Sequence, residues 1–191
     1  NDNVSHVESD IEDVITYIVI NDDFRFVLNT APNSKVAKNR LVWQQETPSE
    51  FVTEMLCVKN NISGFGLFPE NGIKPYIVTR NNIVMNQNIA QIREIECLKT
   101  SEKSLGDMKM MKMDKNDTSL ILNNMEDRIV FGKAVMSYDK EETLGYLCAF
   151  ISAEDMIATF TRDRLEENES IYLFDQAGNE IVHSGEAAEG D

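Results

Sequence analysis

Hydrophobic positions recur along the chain in two rhythms, one of about 3.5 residues and one of 2. The first opens the sequence: Val4, Val7, Ile11, Val14 and Ile18 step by three and four, the spacing of one apolar helix face. Ile15 and Val19 widen that stripe, while Glu8, Asp10, Glu12 and Asp13 crowd the polar side. The pattern fits a long helix that docks on its own domain. It equally fits one that also pairs with a second copy along Val4, Val7, Ile11, Val14 and Ile18. Asn21-Asp-Asp23 breaks the helix, and Phe24–Leu28 is long enough for one or two more turns. Ala31-Pro-Asn-Ser34 opens a helix holding Val36, Leu41 and Val42. Thr47-Pro-Ser-Glu50 is a capping box for another, carrying Phe51, Met55 and Val58.

The second rhythm predicts a sheet. Ile62–Phe68 and Ile73–Thr79 flank a turn containing Asn71-Gly72, a strong hairpin signal, and Pro75 confines the second strand to an edge. Three further runs, 118–124, 128–137 and 144–151, read as an antiparallel meander. Side chains alternate faces along a strand. One face of the middle run therefore carries Ile129, Phe131 and Val135, the other Val130, Ala134 and Met136. In the last run Leu144, Tyr146, Cys148 and Phe150 oppose Leu147, Ala149 and Ile151. Strands apolar on both faces are covered on both sides, so these two are expected at the sheet's centre, with Leu120, Ile121 and Leu122 on an edge strand.

Between hairpin and meander lies an insert, residues 80–117, with a helical pattern at Ile89, Ile92, Ile95 and Leu98. It ends in a methionine-rich run, 107–114, expected to be a mobile, partly buried loop; soft thioethers suit Cu(I), but the supporting histidines are missing. Ser152-Ala-Glu-Asp155 caps an exit helix through Met156, Ile157, Phe160 and Leu165, and residues 170–184 form a last hairpin turned at Gln176-Ala-Gly178. The expected class is α+β: a central antiparallel sheet of about five strands with a long N-terminal helix and flanking helices. The expected divisions are a helical region at 1–60, a sheet module at 61–168 and a hairpin at 169–191.

Composition narrows the function. The 191 residues carry 33 acidic and 18 basic side chains, a net charge of −15, which opposes nucleic-acid binding and charge-driven docking on anionic lipid. No apolar run approaches the roughly 20 residues that span a bilayer. Cys57, Cys97 and Cys148 are too few and too scattered for a disulfide framework or zinc knuckle. No P-loop, dinucleotide-binding glycine pattern, nucleophile elbow or H-E-x-x-H occurs, and His183 has no nucleophile elbow nearby. Neither a catalytic centre, a metal site nor a cofactor is expected.

The order of elements resembles the PAS-like sensor modules called Cache domains. Leu144-Gly-Tyr-Leu-Cys-Ala-Phe-Ile-Ser-Ala-Glu-Asp-Met156 looks like the strand and helix start that close the membrane-distal module. Ile171-Tyr-Leu-Phe-Asp-Gln-Ala-Gly-Asn-Glu-Ile-Val-His-Ser184 is similar to the hairpin that opens the proximal one. Residues 9–23 look like the start of the extracellular region of YesM-type sensor histidine kinases. The resemblance implies an extracytoplasmic input domain of a two-component system, a homodimer held by membrane helices absent here. Its partner would be a small molecule, sugar-like or anionic; the alternatives are an interaction or dimerisation module without a small-molecule pocket, recognising a solute-binding protein, and a soluble intracellular PAS-like regulatory domain. Against that resemblance, the second module is expected to stop after its first hairpin, so that the chain is either truncated or uses the hairpin to complete the first module. The Arg-x-Trp-Tyr motif of amino-acid-binding relatives is missing, since Trp43 has no such neighbours, so amino-acid sensing is not expected.

Tyr76, Arg80, Arg128, Lys133 and Tyr138 lie on or beside the strands, where a PAS-like pocket opens, and are the expected ligand contacts. The plainer alternative makes each a solvent-facing residue or an ion-pair partner of a nearby acid.

Overall fold

The computed structural model describes residues 2–30, 53–54, 62–161, 171–174, 178 and 180–184, without the side chains of 2–8, 23, 159–161, 171 and 184. The expected helices around Val36–Val42 and Phe51–Val58, the capping box 47–50 and Trp43 fall outside these residues. So do the side chains of Val4, Val7 and Phe160, and Leu165.

Helix α1 runs Asp2–Ile20 and α2 Asp22–Asn29, with Asn21 making the joint. Its backbone N–H donates to the Tyr17 carbonyl at 3.0 Å, closing α1, and its Oδ1 accepts from the Phe24 N–H at 3.3 Å, opening α2. Ile11, Val14, Ile15 and Ile18 are all buried within this one chain.

Strands β1 (Gly64–Pro69), β2 (Tyr76–Thr79), β3 (Lys109–Met113), β4 (Arg128–Met136) and β5 (Thr143–Ser152) form one antiparallel sheet, ordered β2-β1-β5-β4-β3. The fold is the α+β, PAS-like arrangement expected. β4 and β5 are interior strands and β2, preceded by Pro75, is an edge. The turn between β1 and β2 does more than reverse the chain: Asn71 Nδ2 donates to the carbonyls of Val27 (2.8 Å), Leu28 (3.1 Å) and Thr30 (2.8 Å), capping the end of α2.

The other edge corrects the sequence reading. It is the methionine run that forms β3, pairing Met110 with Phe131 and Met111 with Val130. Residues 118–124 make only an isolated bridge, Met85 to Ile121. Asparagine amides draw this stretch out of a ladder. Asn123 Oδ1 accepts from the Val84 N–H at 2.8 Å, and Asn124 Nδ2 donates to the Asp114 carbonyl at 2.9 Å. Leu120 and Ile121 are still fully buried, as a plug rather than a strand.

The alternation of faces is as expected except at Leu144, which packs with Leu147, Ala149 and Ile151 and not with Tyr146, Cys148 and Phe150; the ladder shifts register nearby, between Val135 and Met136. On one side Phe65, Leu67, Ile129, Phe131 and Leu147 meet Ile11, Ile15, Ile18 and Phe24 of the N-terminal helices. On the other, Val130, Cys148 and Phe150 meet the insert, whose helices are α3 (Ile89–Ile92) and α4 (Glu96–Lys103). Ser101 of α4 pins the insert down: its Oγ accepts from the Ala134 N–H at 2.8 Å and donates to the Asp107 carbonyl at 2.5 Å. The exit helix α5 (Ala153–Thr161) covers the first face together with the separate hairpin β6 (Ile171–Phe174) and β7 (Glu180–Ser184), which buries Ile181 and Val182 in the same core.

Candidate functional site

The five residues expected to contact a ligand do not converge. Tyr76 pairs with Leu67, Leu67 with Leu147, and Leu147 with Lys133, so Tyr76 and Lys133 share one row across the sheet and face the N-terminal helices. The Tyr76 hydroxyl is buried without a hydrogen-bond partner among the described residues, and burial pushes its pKa up. Burial lowers the Lys133 pKa, with Asp107 and Glu12 opposing that shift. Arg80 follows β2, its N–H on the Ser63 carbonyl at 2.9 Å. Tyr138 is 79% exposed in the β4–β5 turn, its ring beneath the Arg25 guanidinium, 4.7 Å from the centroid. Arg25 donates from Nε to the Val19 carbonyl and from Nη1 to the Met136 carbonyl, each at 2.6 Å, fastening the end of α1 to the end of β4.

Arg128 stands apart from the other four. It begins β4, faces the insert and is only 5% exposed, lying over the Phe150 ring at 5.5 Å. Nε donates to Asn124 Oδ1 at 3.0 Å and Nη2 pairs with Glu126 at 2.6 Å, while Nη1 is buried without a partner among the described residues. Burial lowers its pKa, and Glu126 and Asp155 act to raise it.

Beside this end of the sheet lies a cavity of about 450 Å³, within the range of small-molecule sites. The turn between β3 and β4, the start of α5 and the end of β7 border it, and it is open to solvent on one side. Its apolar wall is Ala153, Ile157 and Val182, with Met125 at the rim. Three bases, Lys112, Lys115 and His183, and three acids, Glu126, Asp127 and Glu154, complete the lining. Local hydrogen bonds hold the frame: the Ala153 N–H on the Asp127 carbonyl at 2.9 Å, and the Lys115 N–H on Asp127 Oδ1 at 2.8 Å. Sequence reasoning missed these residues. They come from three segments up to about 70 positions apart, and single charged residues in turns carry no periodic signal.

The opposite end of the insert face carries a second polar group. Glu102 accepts from the Thr143 hydroxyl at 2.7 Å and the Tyr146 hydroxyl at 3.3 Å, and Arg93 pairs with Glu70 at 2.7 Å. Burial first, then the Glu102 charge, holds the Tyr146 hydroxyl well above its ordinary pKa.

No family model matches the chain, and no curated protein matches its sequence. Solved structures do. The ligand-binding domain of the Campylobacter jejuni chemoreceptor Tlp3 in complex with L-valine superposes with a TM-score of 0.59 at 14% identity, over 95% of this chain and 65% of that one. The same domain with L-norvaline gives 0.60 at 14% identity, and with 4-methylisoleucine 0.59 at 13% identity, each over 95% of this chain and 64% of that one. The chain thus has the fold of these ligand-binding domains and spans just under two thirds of their length.

Proposed function

We propose that this chain is the ligand-sensing input part of a bacterial membrane receptor, displayed outside the cell and non-catalytic in itself. The observation that supports the reading is the likeness to chemoreceptor ligand-binding domains along 95% of the chain. The YesM-like opening, residues 9–23, favours a sensor histidine kinase of a two-component system as the parent protein. No helix among the described residues is long and apolar enough to cross a membrane.

The signalling route we propose is α1. Its buried stripe lies on the same sheet that carries the insert on its other face, and Arg25 ties its end to β4. A ligand that favours one seating of α1 over another shifts the population between them, and only that differential affinity signals. Ile11, Val14 and Ile18 are spent on the chain's own core. Pairing with a second copy therefore falls to the outward side of α1, where Tyr17 is 44% and Ile20 66% exposed.

The test is thermal unfolding of the domain against panels of amino acids, sugars and small carboxylates. A binder at 100 times its Kd stabilises by about 2.7 kcal/mol, which moves the Tm of a chain this size by several degrees. A saturable rise confined to one chemical class supports the reading; a flat response to every class overturns it.

A second reading, a module that recognises a solute-binding protein, is favoured by the density of the insert face. A β-carbon on Gly132 would lie 2.7 Å from Cys97 Sγ, and one on Gly66 2.8 Å from Met85 Cε. Sheet and insert are in direct contact there, leaving no room for a ligand at those two points.

A further inference from the structure

We propose that the cavity between the β3–β4 turn, the first turn of α5 and β7 binds a small zwitterion, a free α-amino acid or a dipeptide. The inference rests on the reading of the chain as a small-molecule sensor and deepens it by naming a site and a ligand class.

The charge pattern carries the argument. In a chain of net charge −15, this one cavity gathers two lysines and one of only two histidines together with three carboxylates. An anion entering it would meet the carboxylates, and a cation the lysines. A molecule bearing both charges satisfies both, and such complementarity is what sets specificity.

Existing pairs then show which charges are left for a ligand. Lys112 is engaged by Asp127 at 3.4 Å and Asp114 at 3.9 Å, Glu126 by Arg128 at 2.6 Å, and His183 by Glu180 at 2.6 Å. Lys115 and Glu154 have no ion pair among the described residues, one a cation from the β3–β4 turn and the other an anion from the first turn of α5. Lys115 would take the carboxylate and Glu154 the ammonium. Ile157 and Val182 offer an apolar surface to a side chain, and Met125, 87% exposed, is a flexible thioether that can close over it. Because both charged groups are solvent-exposed, water screens them and affinity is modest.

Occupancy also has a consequence for signalling. The walls belong to the sheet, the exit helix and the final hairpin, so a ligand here bridges all three, and a hairpin position that closes the cavity is favoured when it is filled.

The experiment is calorimetry on the 191-residue chain with L-leucine and glycyl-L-leucine. Each is compared with 4-methylpentanoate, which lacks the ammonium, and 3-methylbutylamine, which lacks the carboxylate. Hydrogen–deuterium exchange locates the binding. At least one zwitterion should bind about tenfold or more tightly than either singly charged analogue. Protection should appear at residues 153–157 and 181–183. K115Q and E154Q should each weaken binding about fivefold or more, whereas K74Q, on the exposed β1–β2 turn, should not. Equal binding of the singly charged analogues, or protection confined to the insert face around Cys97 and Tyr146, overturns the zwitterion site while leaving the sensor reading in place. No heat from any probe overturns the site as well, and the wider ligand panel then decides the sensor reading separately.

Discussion

Cys97 of α4 sits directly over Gly132 of β4, 2.7 Å from where a β-carbon on that glycine would lie, with Leu98 Cδ2 at 2.8 Å. Across the ladder Gly132 pairs with Cys148, so the insert helix rests on the sheet at the one position of β4 that has no side chain. Helix and strand approach closely because that position is glycine.

Gly132→Ala should therefore destabilise the domain by about 1–3 kcal/mol, the usual cost of an extra methyl group in a filled core. Urea unfolding monitored by circular dichroism measures it. Truncating the sulfur in a Cys97→Ala background should recover part of the loss, and strict additivity of the two changes would refute the contact.

The Arg128–Glu126 pair predicts an asymmetry. Glu126→Ala leaves the buried guanidinium hydrogen-bonded to the neutral Asn124, with the Asp155 charge acting on it from farther off, and should cost about 1–3 kcal/mol, discounted because Glu126 is itself partly exposed. Arg128→Met removes the charge and the unpartnered Nη1 together and should be neutral or mildly stabilising. Denaturation midpoints of the two variants and their double mutant decide it. A loss in Arg128→Met as large as in Glu126→Ala would mean that the guanidinium is fully satisfied.

Alkaline pH should weaken the fold. Burial pushes the Cys97 thiol up to about 12, and Cys148 well above its ordinary 9.0. Above pH 9 the unfolded chain releases these protons while the folded chain keeps them, so stability falls as pH rises from about 9 toward 12, by at most about 1.4 kcal/mol per pH unit for each thiol. Between pH 9 and 10 the slope should belong mainly to the thiols, and Cys97→Ala should flatten it. An unchanged slope in that variant would refute the assignment.

How far the sequence foretold the structure depends on where the relevant partner lies. The parity of Val130, Phe131, Cys148 and Ala149 was legible because a two-residue period survives without knowing what covers each face. Pro75 marked an edge because its missing N–H is a local fact. Met110 and Met111 became strand residues only through Phe131 and Val130, some 20 positions away, and methionine advertises no strand propensity of its own. Leu120 and Ile121 looked like an edge strand, and the Asn123 and Asn124 amides diverted them. Asn71 announced a turn, but its grip on the carbonyls ending α2 reaches back more than 40 residues and leaves no trace in spacing. Arg128 was singled out as a strand-borne cation and is the buried one. The charged lining of the cavity was invisible because three separate turns contribute to it.

The two outer strands constrain how copies of this domain could associate. β3 carries Lys109 and Lys112 among its three methionines, tethered to Asp107 at 3.6 Å and Asp127 at 3.4 Å, and β2 begins just after a proline. Charged side chains and proline at a sheet's margins discourage a foreign strand from annealing there. The sheet is therefore guarded against growing by edge-to-edge addition, even at high local concentrations of the chain. Association between neighbours is left to side-chain surfaces such as those of the helices, whose packing can be rearranged without breaking a ladder of backbone hydrogen bonds.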